Sequence, residues 1–240
     1  MTRRRKTLLA AAALVLVLTI GGFAWYWHAT AVDRRVNALL NELRQEQPGW
    51  LQRWFIKLGL REERPPARRP DEVVEDLTHL GSPAVPELIR ALRDPDPIIR
   101  CRAVSVLSGL GDPRAVGPLI VALNHEEQAM RGNAALALGR LNAARAVEPL
   151  IETLQDEVSR VRGNAARALG MIGDPRAFQA LVRALSDEHR YVRVSAAWAL
   201  GIIGDARALG PLERLLADED QDVREEAKVA IERIHGKGKG

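Results

Sequence analysis

The chain has 240 residues, 47% of them hydrophobic and 28% charged, and its single cysteine, Cys101, excludes a disulfide bond within the chain. The formal net charge of +4 is unevenly distributed: residues 1–70 carry 13 Lys and Arg against 5 Asp and Glu, whereas residues 71–240 carry 22 against 26. A surface that binds nucleic acid is expected to be basic, so the mildly acidic larger part argues against that function.

The first predicted element is a membrane anchor at residues 7–27. These 21 residues carry no charge, and as a helix they would span about 31 Å, the thickness of a bilayer's hydrocarbon core. A basic flank at residues 1–6 precedes them, and Trp25, Tyr26 and Trp27 at their C-terminal end form an aromatic belt. The pattern predicts one N-terminal transmembrane helix and a single-pass protein.

A cleaved secretory signal is the alternative interpretation, because Ala29-Thr30-Ala31 has the small-x-small form of a cleavage site. The apolar run is longer than the roughly 7 to 15 residues of a signal core, which favours the uncleaved anchor. The basic flank modestly favours a cytosolic N-terminus. On the assumption of a bacterial source, we expect an inner-membrane protein whose C-terminal part is periplasmic.

Residues 28–70 are predicted to form an amphipathic juxtamembrane segment and a linker. Two apolar stripes with helical spacing precede the Pro- and Arg-rich sequence RPPARRP. The stripes are predicted to pack on each other and on the first repeat, although the second stripe also has the composition of a helix lying in the headgroup layer. Their members are Val32, Val36, Leu39, Leu40 and Leu43, then Trp50, Leu51, Trp54, Phe55 and Leu58.

From Gly111 to Ile234 the sequence repeats every 31 residues, and a further copy in the same register precedes this tract. Each copy contains two apolar stretches with helical spacing, and none shows the alternation of a β-strand. In the opening Gly111-Asp112-Pro113, Gly111 is predicted to end one helix in a left-handed conformation. Asp112 is predicted to cap the N-terminus of the next helix, and Pro113 to occupy its first position. The period predicts stacked helix pairs with one continuous core.

The pattern AVxPLIxAL, an acidic turn and then VRxxAAxALGxIG resembles the HEAT-like repeats first described in phycobilin lyases. The resemblance covers residues 71–234. It implies an all-α fold, an α-solenoid in which helix pairs form a right-handed superhelix and the second helices line the concave side. Such repeats mostly serve as interaction scaffolds, so the resemblance indicates the fold more strongly than the function.

The two ends of the array depart from the repeat. Lys228 and Glu232 replace the small residues that the other second helices carry in the same columns, so the last helix is predicted to cap the solenoid. At the other end, DEVVEDLTHL, with Val73, Leu77 and Leu80 in core columns, is predicted to be a half-repeat. Residues 235–240 are expected to form a disordered tail.

Candidate catalytic residues are few. HEAT-like repeats also form deoxyhypusine hydroxylase, a metalloenzyme family that presents His-Glu pairs at the start of its second helices. The pairs His125-Glu126 and Glu188-His189 lie instead in turns, where we expect solvated residues and no metal. At the positions that hold the metal ligands in that family, this sequence has Gly132-Asn133, Gly163-Asn164, Val194-Ser195 and Glu225-Glu226. We therefore predict no catalytic residue, metal, cofactor or small-molecule substrate.

An arginine recurs at the same position of all five copies, six residues after an aspartate in four of them. The ladder could bind an anionic ligand, but identity in every repeat favours a structural role in which each arginine pairs with turn carboxylates and carbonyls. The ladder consists of Arg100, Arg131, Arg162, Arg193 and Arg224.

A binding function is expected where the repeats differ. The third and fourth second helices combine Arg167 and Met171 with Tyr191, Trp198 and Ile202, residue types that are frequent at binding hot spots. Trp198 could instead fill a gap between repeats. We predict a membrane-anchored scaffold, not an enzyme, that binds a protein partner through these five residues. The alternatives are an accessory, chaperone-like or phycobilin-lyase-like subunit and, third, a secreted soluble binder.

Overall fold

A computed structural model describes residues 31–41 and 70–237, and the chain divides into two compact units, Met1–Glu87 and Leu88–Gly240. In the first unit, residues 31–41 are helical (α1), and Pro70–His79 forms α2. The predicted apolar side chains of both helices are buried, which favours a packed core face for the first stripe. The second stripe lies outside the described residues. The buried side chains are Val32, Val36, Leu39 and Leu40 in α1 and Val73 and Leu77 in α2.

The second unit is a stack of helix pairs. Short first helices begin every 31 residues, at Val85–Ala91 (α3), Val116–Ala122 (α5), Val147–Thr153 (α7), Phe178–Ala184 (α9) and Leu209–Arg214 (α11). The longer second helices are Pro97–Leu110 (α4), Gln128–Arg140 (α6), Ser159–Ile172 (α8), Arg190–Ile203 (α10) and Gln221–Lys237 (α12). Successive second helices pack on one another in chain order, and α6, α8, α10 and α12 each also pack on their own first helix. The predicted all-helical repeat solenoid is confirmed.

The turns between repeats follow the predicted chemistry. Gly111 ends α4 with φ of 68°, a left-handed conformation that costs glycine little, and the Asp112 carboxylate accepts from the backbone N–H of Arg114 at 2.9 Å. Pro113 then opens a single 3₁₀ turn, which the sequence did not indicate, before α5 begins at Val116. In the next copy Asn142 replaces the glycine and adopts φ of 49°. Asparagine tolerates this conformation better than other side chains do.

Aliphatic side chains and alanines fill the space between the two layers of helices. In α8, Val161, Ala165 and Leu169, which have helical spacing, are buried, and Ile172, at the end of the helix, is half-buried. Alanines on the second helices keep the layers close, whereas leucines such as Leu150 are among the largest fully buried side chains. The result is a continuous core that leaves one side of every second helix facing outward.

The predicted transmembrane helix is corrected by the structure. Among residues 31–41 and 70–237, no helix is both long enough and apolar enough to cross a membrane. The longest of them, α12, has 17 residues and carries acidic and basic side chains throughout, whereas a membrane span needs about 20 mostly apolar residues. The predicted span, 7–27, itself lies outside the described residues. The fold class that the described residues show is a helical repeat solenoid, and the single-pass, inner-membrane placement with a periplasmic solenoid is withdrawn.

The last described helix has the exposed outer face expected of a cap. Lys228 and Glu232 are exposed, and Lys228 pairs with Glu225 at 2.8 Å. The helix also continues to Lys237, so residues 235–237 belong to it and not to the predicted tail.

Replacing Lys228 with Ala and Glu232 with Gly, the residues of the internal repeats, is expected to promote self-association. The double variant removes two charges from α12 and leaves a smooth face of the kind that binds another second helix. Sedimentation velocity over a range of concentrations measures the effect. An unchanged monomer fraction would show that this face does not act as a cap.

Candidate functional site

The arginine ladder joins neighbouring repeats. Arg162 is buried, and its Nη1 donates to the backbone oxygens of Asp156 and Glu157 in its own turn, at 2.9 and 3.3 Å. Its Nε and Nη2 donate to both carboxylate oxygens of Asp187, at 2.8 and 2.9 Å. Asp187 belongs to the following repeat, so one guanidinium fixes a turn and links it to the next.

The same arrangement recurs with one substitution. Arg131 pairs with Asp156 at 2.7 Å, and Arg193 pairs with Asp218 at 2.8 Å. Arg100 pairs instead with Glu127, because His125 occupies the aspartate position in that turn. The predicted structural role of the ladder is confirmed. The carboxylate partner, however, lies 25 residues after the arginine in the three aspartate pairs.

The paired carboxyls are held in the ionised form. Burial by itself would raise the pKa of Asp187, but hydrogen bonds from Arg162 and from the backbone N–H of His189 outweigh it, so this pKa lies below its usual range. The same balance lowers the pKa of Asp156 and of Asp218. The ladder therefore stabilises the fold only while these groups are charged.

We expect the free energy of unfolding to decrease as the pH falls below about 4. A carboxyl whose pKa is lower in the folded chain contributes stability that is fully present above its unfolded value of about 3.9 and is lost as the pH falls through the folded value. Urea denaturation at a series of pH values measures this. Replacing Asp156, Asp187 and Asp218 with Asn should make the free energy of unfolding depend less on pH in the acid range. An equally steep decrease in that variant would rule out the ladder as its cause.

The outward sides of α4, α6, α8, α10 and α12 form one surface, called here the second-helix face. Close packing of the helices depends on glycine. A Cβ atom at Gly139 would lie 2.7 Å from Cα of Ala168, and one at Gly170 would lie 2.7 Å from Cα of Ala199. Such contacts are too short for any larger residue, so these junctions require glycine. Side chains of each helix can therefore rest on the backbone of the helix before it.

All five predicted binding residues lie on this face and are half-buried. The Arg167 guanidinium carbon lies 5.1 Å from the centroid of the Trp198 ring, within the range of a cation–π interaction. The ring also rests on Gly170, because a Cβ atom there would lie 3.0 Å from the indole Cζ3. Trp198 thus packs on α8 with part of its surface and leaves the remainder accessible.

Tyr191 is anchored by a residue that the sequence did not single out. Its hydroxyl donates to Oδ1 of Asn164 at 2.9 Å, and Nδ2 of this buried Asn164 donates to the backbone oxygen of Gly132 at 3.1 Å. The tyrosine ring lies against Gly163, where a Cβ atom would come within 2.3 Å of it. This chain of contacts crosses three repeats and fixes the orientation of the phenol.

The remaining predicted residues lie beside this centre. Met171 is directed towards α6, since its sulfur lies 3.1 Å from the position a Cβ atom would take at Gly139. Ile202 occupies the same register one repeat later. The structure therefore brings Arg167 and Trp198 into direct contact and places Tyr191, Met171 and Ile202 on the same two helices.

The face continues onto α12 with charged residues that the sequence analysis did not place in the site. Arg233 donates to Glu226 at 3.2 Å. Burial raises the pKa of Glu226, and the positive charges of Arg233 and Arg167, which act in the opposite direction, do not fully offset it. Arg167 thus lies within electrostatic range of α12, and the site carries charges of both signs.

The two histidines predicted to lie in solvated turns are engaged in hydrogen bonds there. Nδ1 of His125 accepts from the backbone N–H of Glu127 at 3.0 Å, and Nδ1 of His189 accepts from that of Tyr191 at 3.2 Å. Over the part of the chain that the structure describes, no group of three or more His, Cys, Asp or Glu side chains could hold a metal ion. The expected lack of a metal or cofactor stays a prediction for the whole chain.

Solved structures with similar folds are HEAT-like and armadillo proteins. The complex of CpcE and CpcF of phycocyanin lyase from Nostoc sp. PCC7120 matches with a TM-score of 0.58 and 27% identity, over 73% of this chain and 70% of that chain. A designed armadillo repeat protein in complex with the peptide (KR)4 matches with a TM-score of 0.56 and 22% identity, over 82% and 98%. The resemblance to phycobilin-lyase repeats is confirmed, and both of these solved structures are complexes, the first of two protein chains and the second with a peptide.

Comparison with curated proteins finds no match. The profile of HEAT repeats, by contrast, matches residues 36–120, 117–190 and 160–232. The match thus begins inside the segment predicted to be juxtamembrane and ends in α12. Because it covers most of the sequence and agrees with the observed helix pairs, the chain belongs to the HEAT-repeat family.

Proposed function

We propose that this HEAT-repeat protein is a scaffold that binds a protein partner through the second-helix face of α8, α10 and α12 and has no enzymatic activity of its own. The observation that carries the proposal is the partly accessible, half-buried Trp198, stacked under Arg167. Interface hot spots are rich in tryptophan, tyrosine and arginine, and they lie where rigid side chains are already oriented before binding.

The surroundings of Trp198 support this role. The equivalent positions in the other four repeats carry Ser105, Leu136, Arg167 and Val229, so the tryptophan is not part of the repeat framework. Tyr191 is fixed by its hydrogen bond to Asn164, which lowers the conformational entropy lost on binding. Together they offer rigid aromatic surface beside charged groups.

Site-specific photo-crosslinking tests the proposal. A photoreactive residue at Ile202 lies on the face and leaves Trp198 intact, whereas one at Val121, which is 69% exposed on α5, serves as the matched control. In an extract of the source cells, we expect a discrete crosslinked protein from position 202 and none from 121. Crosslinks from 121 alone, or the same products from both positions, would contradict the proposal.

The second candidate is an accessory subunit of an enzyme. It is favoured by the 27% identity to a complex of two chains of phycocyanin lyase. In that case the captured partner is itself an enzyme, and adding this chain to the purified partner should raise its rate. A partner whose activity does not respond would favour the scaffold.

A further inference from the structure

A small cavity lies between α4 and α6, on the second-helix face but two repeats away from Trp198. Its volume is about 300 Å³, at the lower limit for small-ligand sites. Val104, Leu136 and Ala137 supply an apolar wall, and Ser105, Ser108 and Asn133 supply polar groups.

The cavity lies where two neighbouring second helices meet without the glycine that the later pairs have. Gly139, Gly170 and Gly201 let each second helix approach the next, but Ser108 occupies the same column in α4. A serine has a Cβ atom and a hydroxyl, so α4 cannot approach α6 as closely as the later pairs approach one another. The packing of α4 on α6 is correspondingly looser.

The hydroxyl of Ser108 has no bonding partner. The residue is 8% exposed, it lines the cavity, and its Oγ forms no hydrogen bond within the described part of the chain. A helical serine can usually donate to the carbonyl four residues earlier, but this one does not. A buried, unsatisfied hydroxyl costs about 1 to 3 kcal/mol, so a group that accepts its hydrogen bond gains that amount.

The cavity is also positively charged. Arg102 and Arg140 line it from α4 and α6, and no acidic side chain lines it. Arginine binds carboxylates through paired N–H donors, and its hydrogen bonds to anions are about twice as strong as neutral ones.

We propose that this cavity binds an organic carboxylate. The anionic oxygens accept from Ser108 and from Arg140, and a short apolar portion lies against Val104 and Leu136. This site is independent of the partner surface around Trp198, and its test does not rely on that surface.

Protection of Cys101 measures occupancy directly. Cys101 lines the cavity, is half-buried and is the only cysteine of the chain, so its rate of alkylation by iodoacetamide reports on the site alone. With the full-length chain at constant pH and ionic strength, hexanoate should slow alkylation saturably. Hexylamine and hexan-1-ol, which have the same chain length without the negative charge, should not.

Two variants remove different parts of the site. Arg140→Gln removes a charge from an exposed position, and Ser108→Gly restores the residue of the other junctions and removes the hydroxyl. Each should weaken hexanoate protection about tenfold. Arg145→Gln, an equal change of charge at an exposed position of the next turn, should leave the protection unchanged.

The outcomes separate clearly. Protection by all three probes, protection by none, or unchanged hexanoate protection in Arg140→Gln would overturn the proposal, whether or not Ser108→Gly folds. A glutamate-containing peptide with blocked termini distinguishes the source of the carboxylate. Stronger protection by this peptide identifies an acidic side chain of a polypeptide, and stronger protection by hexanoate identifies a free acid; both support a carboxylate site.

Discussion

Replacing Asp187 with alanine is expected to lower the free energy of unfolding by about 3 kcal/mol or more. Arg162 would then keep its charge in a buried position without the two hydrogen bonds that Asp187 accepts at 2.8 and 2.9 Å. Removing one member of a buried ion pair is costly because the remaining charge stays desolvated. Urea denaturation at pH 7 measures the change.

Glu188 provides the matched control. It also pairs with Arg162, at 3.2 Å, but its side chain is 86% exposed, and exposed pairs contribute about 0 to 1 kcal/mol. Glu188→Ala should therefore change the stability little. Replacing both buried partners, as Arg162→Met with Asp187→Leu, should cost less than Asp187→Ala alone. If Asp187→Ala were no more costly than Glu188→Ala, the ladder would not join the repeats energetically.

Replacing Trp198 with alanine is expected to weaken binding of the partner recovered by crosslinking at least tenfold. Truncating a central interface tryptophan typically costs about 2 kcal/mol or more, and each 1.4 kcal/mol is about tenfold in affinity. The variant also removes the contacts of the ring with Arg167 and Gly170. Affinity is measured by calorimetry on purified components, with Val121→Ala as the surface control.

Thermal melting must accompany that experiment because Trp198 is half-buried. If Trp198→Ala lowers the melting temperature and leaves the affinity unchanged, the ring serves to pack α10 on α8. If the affinity falls while the variant remains folded at the temperature of the binding experiment, the tryptophan acts at the interface.

The repeat architecture could be predicted because its signals are local. The left-handed turn at Gly111, the N-cap at Asp112 and the apolar spacing within each helix depend on neighbours a few residues away. The exposed Lys228 and Glu232 could likewise be identified by comparing columns of the repeat. Each such feature is determined before the repeats pack.

The interactions between repeats could not be predicted in the same way. An aspartate six residues before Arg162 and another 25 residues after it are both reasonable partners from the sequence, and only packing selects the second, Asp187. The contact of Tyr191 with Asn164 spans 27 residues and has no local signal. The transmembrane helix predicted from the apolar run is not supported, since no helix among residues 31–41 and 70–237 can cross a membrane.

Serine in a column of glycines was visible in the sequence, but its consequence was not. Ser108 is small enough to be classed with Gly139 and Gly170 when columns are compared. Only the spacing of the helices shows that a single Cβ atom and hydroxyl are enough to open a cavity with an unpaired donor.

Binding of the partner to the second-helix face can be measured by hydrogen–deuterium exchange of the chain with and without the crosslinked partner. We expect slower exchange in peptides from α8, α10 and α12, and unchanged exchange in peptides from the first helices α7, α9 and α11. Slower exchange confined to those first helices or to the arginine-ladder turns would contradict this expectation.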